Sequence, residues 1–146
     1  MTPVAVTGIG VVSAFGIGVE PFWDGLVAGR SALAPPTRLG TPGVVCAGEV
    51  RALAPRDFVR SAVGRRIDRT SLLALAACRL ALADARAPLD GLDPTRFGLA
   101  LGSAFGNFGE TTGFLDRLFA RGAGNPLVFP NLVLNAGLSY ASIELG

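Results

Sequence analysis

Two cysteines, a cluster of arginines and one glycine-rich turn are the parts of this chain whose residue types could do chemistry. Gly8-Ile9-Gly10 and Ser13 follow the β-branched run Val4-Ala5-Val6, and a turn of that kind can cradle a phosphate against the start of a helix. The dinucleotide fingerprint, however, wants a third Gly or Ala where Ser13 stands and an acidic residue about 20 positions on, where the chain offers only the 26–30 region. Nucleotide binding is therefore an outside reading; the same glycines also serve simply to shape a turn. Cys46 sits in the apolar run GVVCAG and Cys78 in the middle of an apolar helix, with no neighbouring base or helix start to lower either pKa. Both read as small core hydrophobes, and no disulfide between them is expected. Histidine is absent, which removes every histidine-dependent acid–base scheme from within the chain. Two isolated cysteines cannot complete a four-ligand zinc site, so no metal centre and no cofactor is expected.

All 13 basic residues are arginine. Arg51, Arg56, Arg60, Arg65, Arg66 and Arg69 fall close together against Glu49, Asp57 and Asp68, which suits either a solvated basic face or an anionic partner. A net charge of +2 is too weak to argue for nucleic acid. The composition is 50% hydrophobic, with a mean hydropathy of +0.49, so the apolar content is large for 146 residues. The long uncharged stretch at the amino terminus is broken by glycines, and Arg79 interrupts the apolar run 72–83, so no membrane span is expected. No basic segment precedes an apolar core at the start of the chain, so no secretory signal is expected and the cytoplasm is the default.

Several elements must position these groups. Val4-Ala5-Val6 reads as a short buried strand, followed by a helix from about Glu20 with Phe22, Trp23, Leu26 and Val27 turned to the core. A loop over 33–43 leads to a strand around 44–50. The segment 68–85 reads as a strong helix that Asp68 or Thr70 can cap, with Ala74, Ala77, Ala81 and Ala85 forming a stripe of small side chains that would let a neighbour approach closely. RFGLAL over 96–101 is the next expected strand, and a helix over about 110–119 is closed by the glycines near Gly122. Nothing in the sequence divides the chain into two domains, so 1–146 reads as one.

The order Thr7-Gly8-x-Gly10, Ser13, Gly16, Trp23, Leu26, Gly29, Ser31 resembles the opening of a β-ketoacyl synthase. Three later blocks extend the resemblance over nearly the whole chain: RRIDRTSLLALAACRLALADA, RFGLALGSAFGN and NPLVFPNLVLNAGLSYASIELG. The fold it implies is α/β and thiolase-like, in which two similar halves stack as αβαβα layers, and residues 1–146 would be an incomplete amino-terminal half. The implied reaction is decarboxylative Claisen condensation of acyl thioesters in fatty-acid or polyketide synthesis, which needs a thiolate, an oxyanion hole and two imidazoles. By the resemblance, the nucleophilic cysteine falls roughly two dozen residues after Asn135 and both histidines lie later still, so no catalytic residue is assigned within these residues.

The resemblance places Phe105 on the wall of the acyl tunnel, with ordinary core packing as the plainer alternative. Val128 and Phe129 are placed near the tunnel's far end and the dimer interface. Arg65 and Arg66 align with basic positions that dock the acidic acyl carrier protein, and Arg121 lies near another such position, a task suited to the guanidinium fork. The implied partners are that carrier protein and a complementary carboxy-terminal ketosynthase polypeptide or a second ketosynthase-fold subunit, as a homo- or heterodimer. The turn SAFGN after Gly102 and the segment 131–140 lie closer to chain-length-factor-like members, some of which lack the nucleophile. A non-catalytic subunit therefore remains the alternative.

Overall fold

The computed structural model describes residues 3–38, 42–87 and 93–146, apart from the side chains of Val63, Arg65 and Pro94. Two compact units divide the chain, one of residues 1–57 and 76–88, the other of 58–75 and 89–146.

The first unit begins with a two-stranded antiparallel hairpin, β1 (Val12–Ser13) and β2 (Gly16–Ile17), in which Val12 pairs with Ile17 and Ser13 with Gly16. Gly16 and Gly18 take φ of 147° and 104°, the region that favours glycine, and Gly18 precedes helix α1 (Val19–Val27). Glu20 lies in the first turn of α1, where its charge complements the helix dipole. Only part of the expected apolar stripe is covered. Phe22 packs edge-on against Phe15, with ring centroids 6.3 Å apart, and Gly25 leaves room for the Phe15 ring. Trp23, Leu26 and Val27, expected in the core, are exposed. Helical spacing identifies an apolar face; what covers that face is a tertiary matter.

Gly8 and Gly10 act here by allowing close approach. A Cβ on Gly10 would lie 2.0 Å from the Ala77 carbonyl oxygen, and one on Gly8 would lie 2.3 Å from that of Ala81. The expected small-residue stripe of helix α2 (Arg69–Asp84) is what they rest on. The Ile9 amide donates to Asp84 Oδ2 at 2.8 Å beside them. The turn proposed for phosphate is thus pressed against a helix, and a hairpin separates it from α1.

The expected strands at 4–6, 44–50 and 96–101 form no ladder among the described residues, apart from a single antiparallel bridge between Ala34 and Ala47. A β-branched run favours extended backbone, whereas a ladder also requires a partner strand. Glu49 instead holds the loop before it: its carboxylate accepts from the Thr37 amide and hydroxyl and the Arg38 amide, and pairs with Arg51 at 3.6 Å.

In the second unit, Asp68 caps the start of α2 by accepting from the Ser71 amide at 2.9 Å and from the Ser71 hydroxyl. Helix α3 (Phe108–Arg121) ends at Gly122, whose φ of 68° and bond to the Leu118 carbonyl at 2.8 Å make a left-handed cap. A 3-10 turn over Pro126–Asn131 then leads to helix α4 (Ala136–Leu145).

Candidate functional site

The residues singled out for the acyl tunnel and for docking all fall in the second unit. Phe105 stands in the turn after Gly102, which is shaped by a bond from the Gly106 amide to Ser103 Oγ at 2.9 Å and by Gly106 at φ 53°. Its side chain is 81% exposed, so it is not packed in a core, the plainer alternative considered for it. Val128 and Phe129 lie in the turn Pro126–Asn131, whose start is capped by a bond from the Leu127 amide to Asn125 Oδ1 at 3.0 Å. Phe129 is 60% exposed and meets Phe114 of α3 edge-on, with centroids 6.5 Å apart. Val128 is half-buried and lines a cavity of about 250 Å³ together with Gly109, Glu110, Phe114 and Arg117. Phe105 is not among the residues lining that cavity.

Arg66 is exposed at the end of a 3-10 turn, Val63–Arg66. The side chain of Arg65 lies outside the described residues. Arg121 is exposed in the last turn of α3, where a cation complements the helix dipole. Neither Arg66 nor Arg121 forms an ion pair among the described residues, and both residues are exposed.

Sequence reasoning passed over the polar groups that hold these segments in place. The Glu144 carboxylate accepts from the Arg60 amide at 2.8 Å, the Ser61 amide at 3.0 Å and the Ser61 hydroxyl, tying the start of the arginine segment to α4. The Arg66 carbonyl accepts from Asn131 Nδ2 at 3.0 Å, and the Tyr140 hydroxyl donates to Asn131 Oδ1 at 2.7 Å. Burial pushes the Tyr140 phenol above its ordinary value; Asp68 adds to the rise and Arg66 opposes it. A polar Asn and a Tyr inside an otherwise apolar run were the available signal, since buried polar groups need partners.

Neither expected cysteine environment is simple. Cys46, expected in the core, is exposed, because 44–50 gains only the single bridge at Ala47 and no covering sheet. Cys78 is half-buried, and burial pushes its thiol up, the opposite of nucleophile activation.

Residues 1–139 match the family model described as β-ketoacyl synthase, N-terminal domain. The chain belongs to the β-ketoacyl synthase family. It is 28% identical over 149 residues to 3-oxoacyl-[acyl-carrier-protein] synthase 2 of Synechocystis, an alignment covering 98% of this chain and 35% of that protein. A Streptomyces violaceoruber protein that bears the name granaticin polyketide β-ketoacyl synthase 1 is 39% identical over 109 residues, 69% of this chain and 24% of its own length. Among solved structures, the ishigamide ketosynthase/chain length factor superposes with a TM-score of 0.76 at 28% identity, covering 96% of this chain and 36% of that one. This β-ketoacyl synthase chain therefore has the thiolase-like fold and spans about a third of the length of these two full-coverage relatives. No helix among its described residues is long and apolar enough to cross a membrane.

Proposed function

We propose that residues 1–146 are the amino-terminal part of a cytoplasmic ketosynthase-fold protein of fatty-acid or polyketide synthesis, supplying acyl-pocket wall, dimer interface and carrier-protein docking surface to the decarboxylative condensation of acyl thioesters. The observation that carries this reading is the family match over 1–139, in register with relatives across 98% of the chain. Phe105, Val128 and Phe129 supply the apolar wall, the exposure of Phe105 and Phe129 being what a surface completed by other groups requires. Arg65, Arg66 and Arg121 receive the acidic carrier protein, and the remainder of a ketosynthase domain or a ketosynthase-fold subunit supplies thiolate and imidazoles.

The second reading, a chain-length-factor-like subunit without a nucleophile, is favoured by the similarity to a ketosynthase/chain length factor. The two are separated by thiol-directed labelling and peptide mapping of the complete assembly, with and without acyl substrate: a substrate-protected cysteine other than Cys46 and Cys78 on the polypeptide carrying this chain marks the condensing subunit, and protection confined to a partner's cysteine marks the chain-length role.

Docking is tested by reversing charge in the complete assembly. Arg65→Glu with Arg66→Glu is expected to slow association with an acidic acyl carrier protein, most visibly at low salt, while thermal stability stays near the parent's, because charges at the rim of an interface act mainly by steering. Unchanged association at low ionic strength overturns the docking assignment.

A further inference from the structure

Asn131 is 6% exposed, and its carbonyl, Nδ2 and Oδ1 each reach a different segment. The carbonyl accepts from Asn107 Nδ2 at 2.7 Å, Nδ2 donates to the Arg66 carbonyl at 3.0 Å, and Oδ1 accepts from the Tyr140 hydroxyl at 2.7 Å. The Tyr140 hydroxyl also lies 3.5 Å from the Arg66 carbonyl. Each of these contacts leads to a position already singled out. Asn107 follows the Phe105 turn, Asn131 itself closes the turn that carries Val128 and Phe129, and Arg66 ends the docking segment. The hydrogen bonds of the other buried polar pair, Asp68 with Ser71, stay within the first turn of α2. With Glu144 holding the amides of Arg60 and Ser61, the docking segment is tied down at both ends.

We propose that Asn131, braced by Tyr140, is a positioning residue that holds the Arg66 docking segment in register with the acyl-wall segments at Phe105 and Phe129, so that carrier docking and acyl-chain selection depend on one hydrogen-bonded node. This rests on the function proposed above. A buried network of this kind is stiff because deleting one member leaves the others without partners in a low-dielectric site. Preorganisation of a docking segment also removes an ordering cost from binding.

The test uses Asn131→Ala and Tyr140→Phe in the complete ketosynthase assembly, with Leu72→Ala, which truncates a buried apolar side chain and removes no hydrogen-bonding group, as a core-destabilised control. Two quantities are read: affinity for an unacylated acidic carrier protein, and the ratio of long- to short-chain products, which does not depend on how much protein is folded. Both Asn131→Ala and Tyr140→Phe are expected to weaken carrier binding about 2- to 10-fold, the range for one or two lost network bonds, and to shift the product ratio. Leu72→Ala is expected to move neither. Variants that behave like the parent or the control overturn the positioning role, as does a variant that moves only one readout, since a shared node must move both. If Asn131→Ala does not fold, Tyr140→Phe decides alone. A parent assembly that binds no carrier protein at low salt overturns the proposed function and this inference together, whereas parent binding with unmoved variants overturns the inference only.

Discussion

Cys46 and Cys78 show how far a residue's chemistry depends on surroundings that its neighbours in sequence do not reveal. Both lie in apolar runs, yet Cys46 is exposed, while Cys78 is half-buried with its thiol pushed up by that burial. Because the thiolate is the reacting species, access and pKa both decide the rate. Iodoacetamide at mildly alkaline pH is therefore expected to modify Cys46 first, with Cys78 following only slowly, and Cys46→Ser is expected to remove the fast phase. Peptide mapping of the alkylated chain checks this, and early modification of Cys78 would count against the burial assigned to it. The polar residues carry a similar lesson. Asn131 was visible as a polar interruption, but its role in joining three segments follows from partners that lie 24, 65 and 9 residues away.

Helix α2 was the most legible element, and its reasons are local. Its bounds at Arg69 and Asp84 follow an uninterrupted run of helix formers behind an Asp that caps it. The alanine stripe likewise announces a close neighbour, although the neighbour itself, the backbone at Gly8 and Gly10, reads from sequence only as a turn. Neither glycine takes a positive φ; each is small because a side chain would collide with the α2 backbone. Gly10→Ala is accordingly expected to destabilise the chain by at least about 1–3 kcal/mol, the usual cost of overpacking, since the clashing atom is a backbone carbonyl that has little freedom to move. Gly29→Ala gives a useful contrast: a Cβ there meets nothing, so its cost is confined to the strained φ of 62°. Urea denaturation of the two variants, with equal losses for both, would show that close approach at Gly10 carries no weight.

At the scale of the molecule, the notable property is how much large apolar surface faces water. Val4 is 95% exposed and Leu134 85%, and Trp23, Phe108, Phe119 and Leu127 are also exposed. Soluble monomers rarely leave extended apolar patches uncovered, so the expectation is that other protein covers these side chains. The chain by itself is expected to bind the dye 8-anilinonaphthalene sulfonate at neutral pH while retaining its helical circular dichroism, and to associate further as concentration rises. Joining it to the rest of a ketosynthase assembly should suppress the dye signal. A folded chain that stays monodisperse and binds no dye would show that this surface needs no partner.

The amino-acid sequence by itself determined the family, through ordered blocks that run from Thr7 to the 126–146 segment, and it determined helices α1 to α3, with Asp68 marking the start of α2 and Gly122 the finish of α3, though not α4. These are short-range signals: caps, glycine conformations and helical bonds act within about one turn of chain. Tertiary structure decided which apolar faces are covered, leaving Trp23, Leu26 and Val27 open while Phe22 meets Phe15. It also decided that the apolar runs at 4–6 and 96–101 form no ladder among the described residues, and that the amide of Ile9 bonds to Asp84, 75 residues away. A strand's bonds and a buried amide's partners come from distant segments, and local composition specifies the need for such partners without naming them.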